Sequence, residues 1–236
     1  MIEILIVWIL ITLGVVTFSA ILARIYSVEI VIGVFASLTV VANIIAFKLV
    51  NFGPFVVPSA VIAYASTFLI TDIVSEFFGK KEARKAVWAG FIANIVMVMV
   101  VSMAVQWPAA PFVDQKAVEA FNTVMGFAPR VVLASMVAFL LSQHHDVWAF
   151  HFWKKMTRGK HLWLRNNAST MVSQLFDTII FISLAFYGIM PGNVILQLIM
   201  GQYVIKILIA ILDTPFIYIA IKLAGIISSK TQVAPE

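Results

Sequence analysis

Six polar side chains recur every three or four residues in one otherwise apolar stretch: Asn166, Asn167, Thr170, Ser173, Gln174 and Asp177. That spacing places them on a single helical face. Asp177 lies about eleven residues from the basic end of this stretch, or roughly 16 Å along a helix. An ionisable group facing hydrocarbon is too costly to keep, so the stripe must face a protein interior or a cavity. The next apolar stretch supplies Lys206 and, on the same face, Asp213. Two acids and a lysine at similar depth form an ion-pair network, whose plain structural alternative is a buried pair that fixes helix register. Asp72 and Glu76 are four residues apart and share a face. Glu76, beside Lys80 and Lys81, reads as an interfacial salt bridge, while Asp72 is a turn deeper. Asn43 and Asn94 are single amides in further apolar stretches, able to cross-link helices or touch a ligand. The residues expected to contact a small molecule are Asn43, Asp72, Gln174, Asp177, Lys206 and Asp213.

His144, His145, Asp146 and His151 invite a metal reading. They fall at the basic end of their stretch beside Trp148 and Trp153, with no second ligand cluster at that depth, so interfacial anchoring is preferred and no metal is expected. No phosphate-binding loop, G-x-S-x-G, H-E-x-x-H or TVGYG-like filter occurs, and no motif asks for a cofactor. The chain has no cysteine.

The elements that must position these groups are membrane helices. Apolar residues make up 62% of the 236-residue chain and charged residues 11%, with mean hydropathy +1.04. A soluble domain carries about a quarter charged residues. The net charge of +5 sits in short loops, so nucleic acid is not an expected partner. Seven stretches are long enough to span, approximately 2–23, 29–50, 55–78, 86–107, 130–152, 168–189 and 194–222. The first reads as a retained helix, because its apolar run exceeds a signal core and no basic leader precedes it. Pro58 reads as a kink in the third span. Between Trp107 and Pro129, Val118, Phe121 and Met125 fall at helical spacing, which predicts a short amphipathic surface helix. With seven spans, twelve of the 16 basic residues collect on one side, leaving Lys48, Lys116 and Arg130 opposite and Lys206 within a span. That side is expected to be cytoplasmic, with the N-terminus outside and the C-terminus inside. The expected class is an all-α, multi-pass transporter of the cytoplasmic membrane, with the lipid bilayer as its surroundings. Oligomeric state is left open, a homo-oligomer included.

The segments TDIVSEFFGKKEARKAV (71–87), GFAPRVVLAS (126–135), SQHHDVWAFHFWKK (142–155), WLRNNASTMVSQLFDT (163–178) and QYVIKILIAILDTP (202–215) resemble the queuosine precursor transporters of the vitamin-uptake type. The resemblance covers about 30–225. It implies a six-helix core over 29–225, similar to the substrate-binding subunits of energy-coupling-factor transporters. An additional N-terminal helix over 1–28 and a polar cytoplasmic tail over 226–236 flank that core. It also implies import of 7-cyano-7-deazaguanine and 7-aminomethyl-7-deazaguanine, a deazapurine substrate, without a dedicated ATPase. By matched motif it points to Asp72, Glu76, Asp146, Asn166, Asn167, Ser169, Thr170, Gln174, Asp177, Lys206 and Asp213. A deazaguanine carries two parallel donors that one carboxylate accepts together, which suits Asp177 first and Asp213 second. Gln174 or Asn43 would meet the ring carbonyl or nitrogen, and Phe176, Phe181 or Tyr203 would stack on the base. The competing readings are a binding subunit that needs a separate ATPase, a membrane-embedded enzyme and a scaffold.

Overall fold

The structure, a computed structural model, describes residues 2–46, 48–52, 55–126 and 129–231. Among these, eight helices and one hairpin follow in order: α1 (Ile2–Ile25), α2 (Glu29–Ile45), β1 (Leu49–Phe52), β2 (Phe55–Pro58), α3 (Val61–Phe77), α4 (Lys80–Gln106), α5 (Gln115–Met125), α6 (Pro129–Met156), α7 (Leu162–Phe186) and α8 (Gly192–Thr231). Four of them, α1, α4, α7 and α8, contain segments both long and apolar enough to cross a bilayer. Helices α2 and α3 have 17 residues each, at the short end of the spanning range.

The bundle is apolar outside and partly polar inside. On α7 the buried face is Arg165, Asn166, Ser169, Thr170, Ser173, Gln174, Asp177 and Thr178, whereas Trp163, Val172, Phe176, Ile179 and Leu184 are exposed. That inversion of the soluble pattern is what a hydrocarbon surround demands. Leu13, Val16 and Ala20 of α1 share one apolar core with Phe35 of α2, Leu69 and Ile73 of α3 and Ile205, Ile209 and Ile217 of α8. Helix α1 therefore packs directly on α2, α3 and α8. Between α2 and α4, Gly90 permits close approach, because a Cβ there would sit 2.7 Å from Phe35 Cε1. Gly79, at φ 85°, makes the tight turn from α3 into α4.

The second and third expected spans are shorter than their apolar runs. An antiparallel hairpin, in register Leu49↔Pro58 to Phe52↔Phe55, takes up the residues between α2 and α3. Pro58 is thus not a helix kink. It ends β2, a position that needs no ladder N–H. Apolar β-branched residues (Val50, Val56 and Val57) serve a strand as readily as a span, so hydrophobicity alone does not separate the two. The hairpin is tied down by Ser59, whose N–H donates to Lys48 O at 2.8 Å and whose Oγ donates to Ile45 O at 2.7 Å. Phe55 packs on Gly201 of α8.

The amphipathic surface helix is present as α5, N-capped by Asp114 accepting from Lys116 N–H at 3.2 Å. Helix α8 runs through the start of the expected polar tail to Thr231; residues 232–236 lie outside the described residues, as do residues 127–128 of the 126–135 segment.

Candidate functional site

Helix α3 organises three polar layers, met in succession along its length. The first is a cleft between α2, α3, α6, α7 and α8, roofed by Pro58 at the end of the hairpin. At its floor Lys206 Nζ pairs with Asp177 Oδ2 at 2.5 Å, both side chains buried. Asp177 Oδ1 accepts from the Tyr64 hydroxyl and, at 3.0 Å, from Ser142 Oγ. Lys206 Nζ also lies 5.1 Å from the Tyr64 ring centroid. A carboxylate has about four acceptor positions, so Oδ1 is filled and Oδ2 keeps one.

The cleft wall adds Asn43, Ser135, Phe181 and Gln202. Asn43 is already held: its amide donates to Asn94 Oδ1, and its carbonyl accepts from Ser135 at 2.9 Å. Gln202 Oε1 is buried with no hydrogen-bond partner among the described residues. The open volume is ≈ 50 Å³, space for a few waters.

The second layer lies about 12 Å further along α3, eight residues from Tyr64. Asp72, Asp146 and Asp213 are all buried here, from α3, α6 and α8. Thr170 Oγ1 donates to Asp72 Oδ2 at 3.1 Å, and Asn166 Nδ2 donates to Asp213 Oδ1 at 3.1 Å. Thr71 Oγ1 lies 3.1 Å from Asp146 Oδ2. Asn167 Nδ2 donates to Thr214 Oγ1 at 2.7 Å, so α7 grips α8 immediately before the in-helix Pro215.

The third layer closes the end of the bundle where α3 meets α4. Glu76 Oε1 pairs with Arg165 Nη2 at 2.6 Å and Glu76 Oε2 with Lys154 Nζ at 2.8 Å. Arg165 Nη1 also donates to Gly159 O at 2.7 Å, and its guanidinium lies over the Phe150 ring.

The six residues expected at one site are therefore divided. Asn43, Asp177 and Lys206 line the cleft, while Asp72 and Asp213 belong to the acidic layer below it. Gln174 is buried one turn from Thr170, with both amide atoms unpartnered among the described residues, and does not line the cleft. Glu76 takes its partners from α6 and α7 rather than from Lys80 and Lys81. Asp146 is not at an interface: α6 continues to Met156, which carries Asp146 inward to face α3. Among the described residues no group of three His, Cys, Asp or Glu side chains could hold a metal. Of the aromatics expected to stack on a base, Phe181 lines the cleft; Phe176 instead packs on His145, and Tyr203 is not in the wall. Tyr64, Ser142 and Gln202 carry site geometry that the sequence reading did not single out.

Residues 58–220 match the model of a family described as "Putative vitamin uptake transporter". A "Probable queuosine precursor transporter" of Bacillus subtilis (strain 168) is 38% identical over 187 residues, covering 78% of this chain and 80% of that protein. The "Queuosine precursor transporter" of Escherichia coli (strain K12) is 29% identical over 120 residues, 51% of each chain. A Haemophilus influenzae relative, also named a "Probable queuosine precursor transporter", is 28% identical over 120 residues, 51% of this chain and 48% of its own. No solved structure matches the chain with significance.

Proposed function

This chain belongs to the vitamin uptake transporter family, and from that premise we propose that it imports 7-cyano-7-deazaguanine and 7-aminomethyl-7-deazaguanine, with the Asp177–Lys206 cleft as the substrate site. The relatives' names supply the substrate class. The observation that carries the site is the buried Asp177–Lys206 pair beside an orphaned acceptor, Gln202 Oε1. The base offers two adjacent donors, its ring N–H and exocyclic amine. The free position on Asp177 Oδ2 takes one, and Gln202 Oε1 takes the other. Lys206 has three N–H groups and only one is used by Asp177, so a second donates to the ring carbonyl. Phe181 supplies the face on which the base stacks. Asp72, Gln174 and Asp213 take no part in this contact set.

Seven helices cross the membrane in this reading: α1, then a six-helix core of α2, α3, α4, α6, α7 and α8, with α5 on the surface. The core corresponds to 29–225, preceded by 1–28 and followed by 226–236. Twelve of the 16 basic residues then lie on one side, which puts that side in the cytoplasm, the N-terminus outside and Glu76 at the cytoplasmic end.

A thermal-shift panel of purines and deazapurines on purified protein tests the substrate: only 7-substituted deazaguanines raise the midpoint, by mass action on the folded state. A panel with no responder removes the substrate reading. Uptake that requires a co-purifying ATPase turns the chain into a binding subunit of an ATP-driven importer.

Gln202→Leu separates contact from scaffold. Removing an unpartnered buried acceptor leaves the unliganded protein as stable as before, or more so. It weakens deazaguanine binding by about 1–3 kcal/mol, roughly 5- to 150-fold in Kd by isothermal titration. Unchanged affinity takes Gln202 out of the site.

A further inference from the structure

The acidic layer is distinct from the cleft, and among the described residues no cation is paired with it. Around Asp72, Asp146 and Asp213, every nearby basic group is otherwise engaged or distant. Lys206 of α8 is paired with Asp177, and Arg165 of α7 and Lys154 of α6 with Glu76 of α3. His145 of α6 bonds Ser173, and His151 lies a turn beyond Asp146 towards Lys154. From α1, Arg24 reaches only the surface near Glu76. The charges of α4 sit in its first turns, at Lys80, Lys81, Glu82, Arg84 and Lys85, and the acid of α2 is Glu29 at its start.

Asp72 and Asp146 face each other between α3 and α6, with Asp213 in electrostatic range of both. Asp72 Oδ1, Asp146 Oδ1 and Asn166 Oδ1 are buried and without a hydrogen-bond partner among the described residues. Asn166 is fully buried and directed into the layer, since its Nδ2 bonds Asp213.

The hydroxyl geometry bears on the protonation of the layer. Thr71 Oγ1 has one proton and lies 2.8 Å from the Phe68 carbonyl, a contact that uses it. Its 3.1 Å approach to Asp146 Oδ2 is then a hydrogen bond only when Asp146 brings the proton. The orphaned oxygens of Asp72 and Asn166 likewise need a donor. A protonated carboxyl within the layer supplies such a donor.

We infer that Asp72, Asp146 and Asp213 form a proton-binding site that loads and unloads during the transport cycle, coupling substrate movement to proton flow. This rests on the transport reading above. The site and the cleft are joined along α6: Gln143 Nε2 donates to Thr67 Oγ1 at 2.8 Å, Ser142, next to Gln143, donates to Asp177, and Asp146 follows one turn further on. Movement of Asp177 on substrate binding therefore reaches Asp146 through adjacent residues of α6. No covalent bond other than O–H forms or breaks, and the proton passes from water on one side to water on the other.

Infrared difference spectra between acidic and alkaline buffer read the carboxyls without any substrate. The wild type shows protonated-carboxyl bands that titrate, and Asp72→Asn and Asp146→Asn each remove part of them. Should either variant unfold, Asp213→Asn reads the same bands. Spectra unchanged in the folded variants overturn the proposal whatever the substrate is. In proteoliposomes, an inward proton gradient drives deazaguanine accumulation by about tenfold per pH unit at one proton per substrate. The Asp72→Asn and Asp146→Asn proteins keep counterflow and lose that accumulation. Accumulation that follows sodium instead, that persists in both variants, or that disappears together with counterflow overturns the coupling role. If the spectra respond as expected and no deazapurine is taken up by the wild type, the substrate assignment has failed and the proton site stands.

Discussion

Lys206→Met abolishes deazaguanine binding and destabilises the folded protein by about 3–5 kcal/mol, the cost of leaving one partner of a buried ion pair alone. Lys206 and Asp177 are both buried, and the ammonium is the only cation on that carboxylate among the described residues. Tyr64 and Ser142 continue to donate to Asp177 Oδ1, which keeps the loss from being larger. The informative comparison is with Asp177→Asn/Lys206→Met, where both charges are gone. A purely structural pair and a substrate-contacting pair predict the same recovery of stability there, since removing a whole buried pair is often nearly neutral. They differ in what happens to the ligand. Thermal unfolding of the double variant in detergent returns close to wild type, and titration with 7-cyano-7-deazaguanine shows no binding. A double variant that binds and transports normally assigns the pair to helix register alone.

Much of this site was legible in the sequence because hydrocarbon leaves polar residues few places to go. The stripe on α7 followed from its spacing, and all of its members but Asn167 lie on the buried face of the helix. The pairing of Asp177 with Lys206 followed from their similar depth on consecutive spans. What was not legible depended on neighbours remote in sequence. Tyr64 sits in an apolar run where a tyrosine reads as packing; only α7 and α8, more than a hundred residues away, make it a hydrogen-bond donor to Asp177. Gln202 is a lone amide, and its meaning comes from the cleft beside it. Asp146 was misplaced because the basic and tryptophan-rich residues after it resemble a membrane boundary, whereas α6 extends to Met156. The hairpin was hidden for another reason: a run of apolar residues interrupted by Asn51, Gly53, Pro54 and Pro58 has span-like hydropathy but strand-and-turn chemistry. The misses at Tyr64, Gln202 and Asp146 reflect tertiary context overriding a local signal, whereas the hairpin's signal was local, and Tyr64, Gln202 and Pro58 all line the cleft.

Glu76→Gln opens the opposite end of the bundle. Glu76 holds α3 to α6 through Lys154 and to α7 through Arg165, and Arg165 is buried enough that its charge needs the carboxylate. If the cleft is entered from the hairpin side, release must pass the acidic layer and this clamp, so its strength sets how often the far end opens. An amide keeps the shape and some hydrogen bonding while removing the charge from both pairs, a loss of about 2–3 kcal/mol for charge-assisted bonds. Local opening then rises by about 30- to 150-fold. The chain has no cysteine, so a single introduced thiol reports accessibility without background. Ser75→Cys is nearly isosteric, and Ser75 is fully buried beside Glu76. Thiol labelling by a membrane-impermeant maleimide from the Glu76 side is slow in Ser75→Cys alone and faster by that factor in Ser75→Cys/Glu76→Gln. The same reagent from the other side shows no comparable change, because the clamp governs one end only. Equal acceleration from both sides would mean that Glu76 holds the whole bundle together, and equal rates in the two proteins that it gates nothing. Glu76→Asp discriminates further: a shorter carboxylate cannot reach both Lys154 and Arg165, so its labelling rate falls between those of the two proteins.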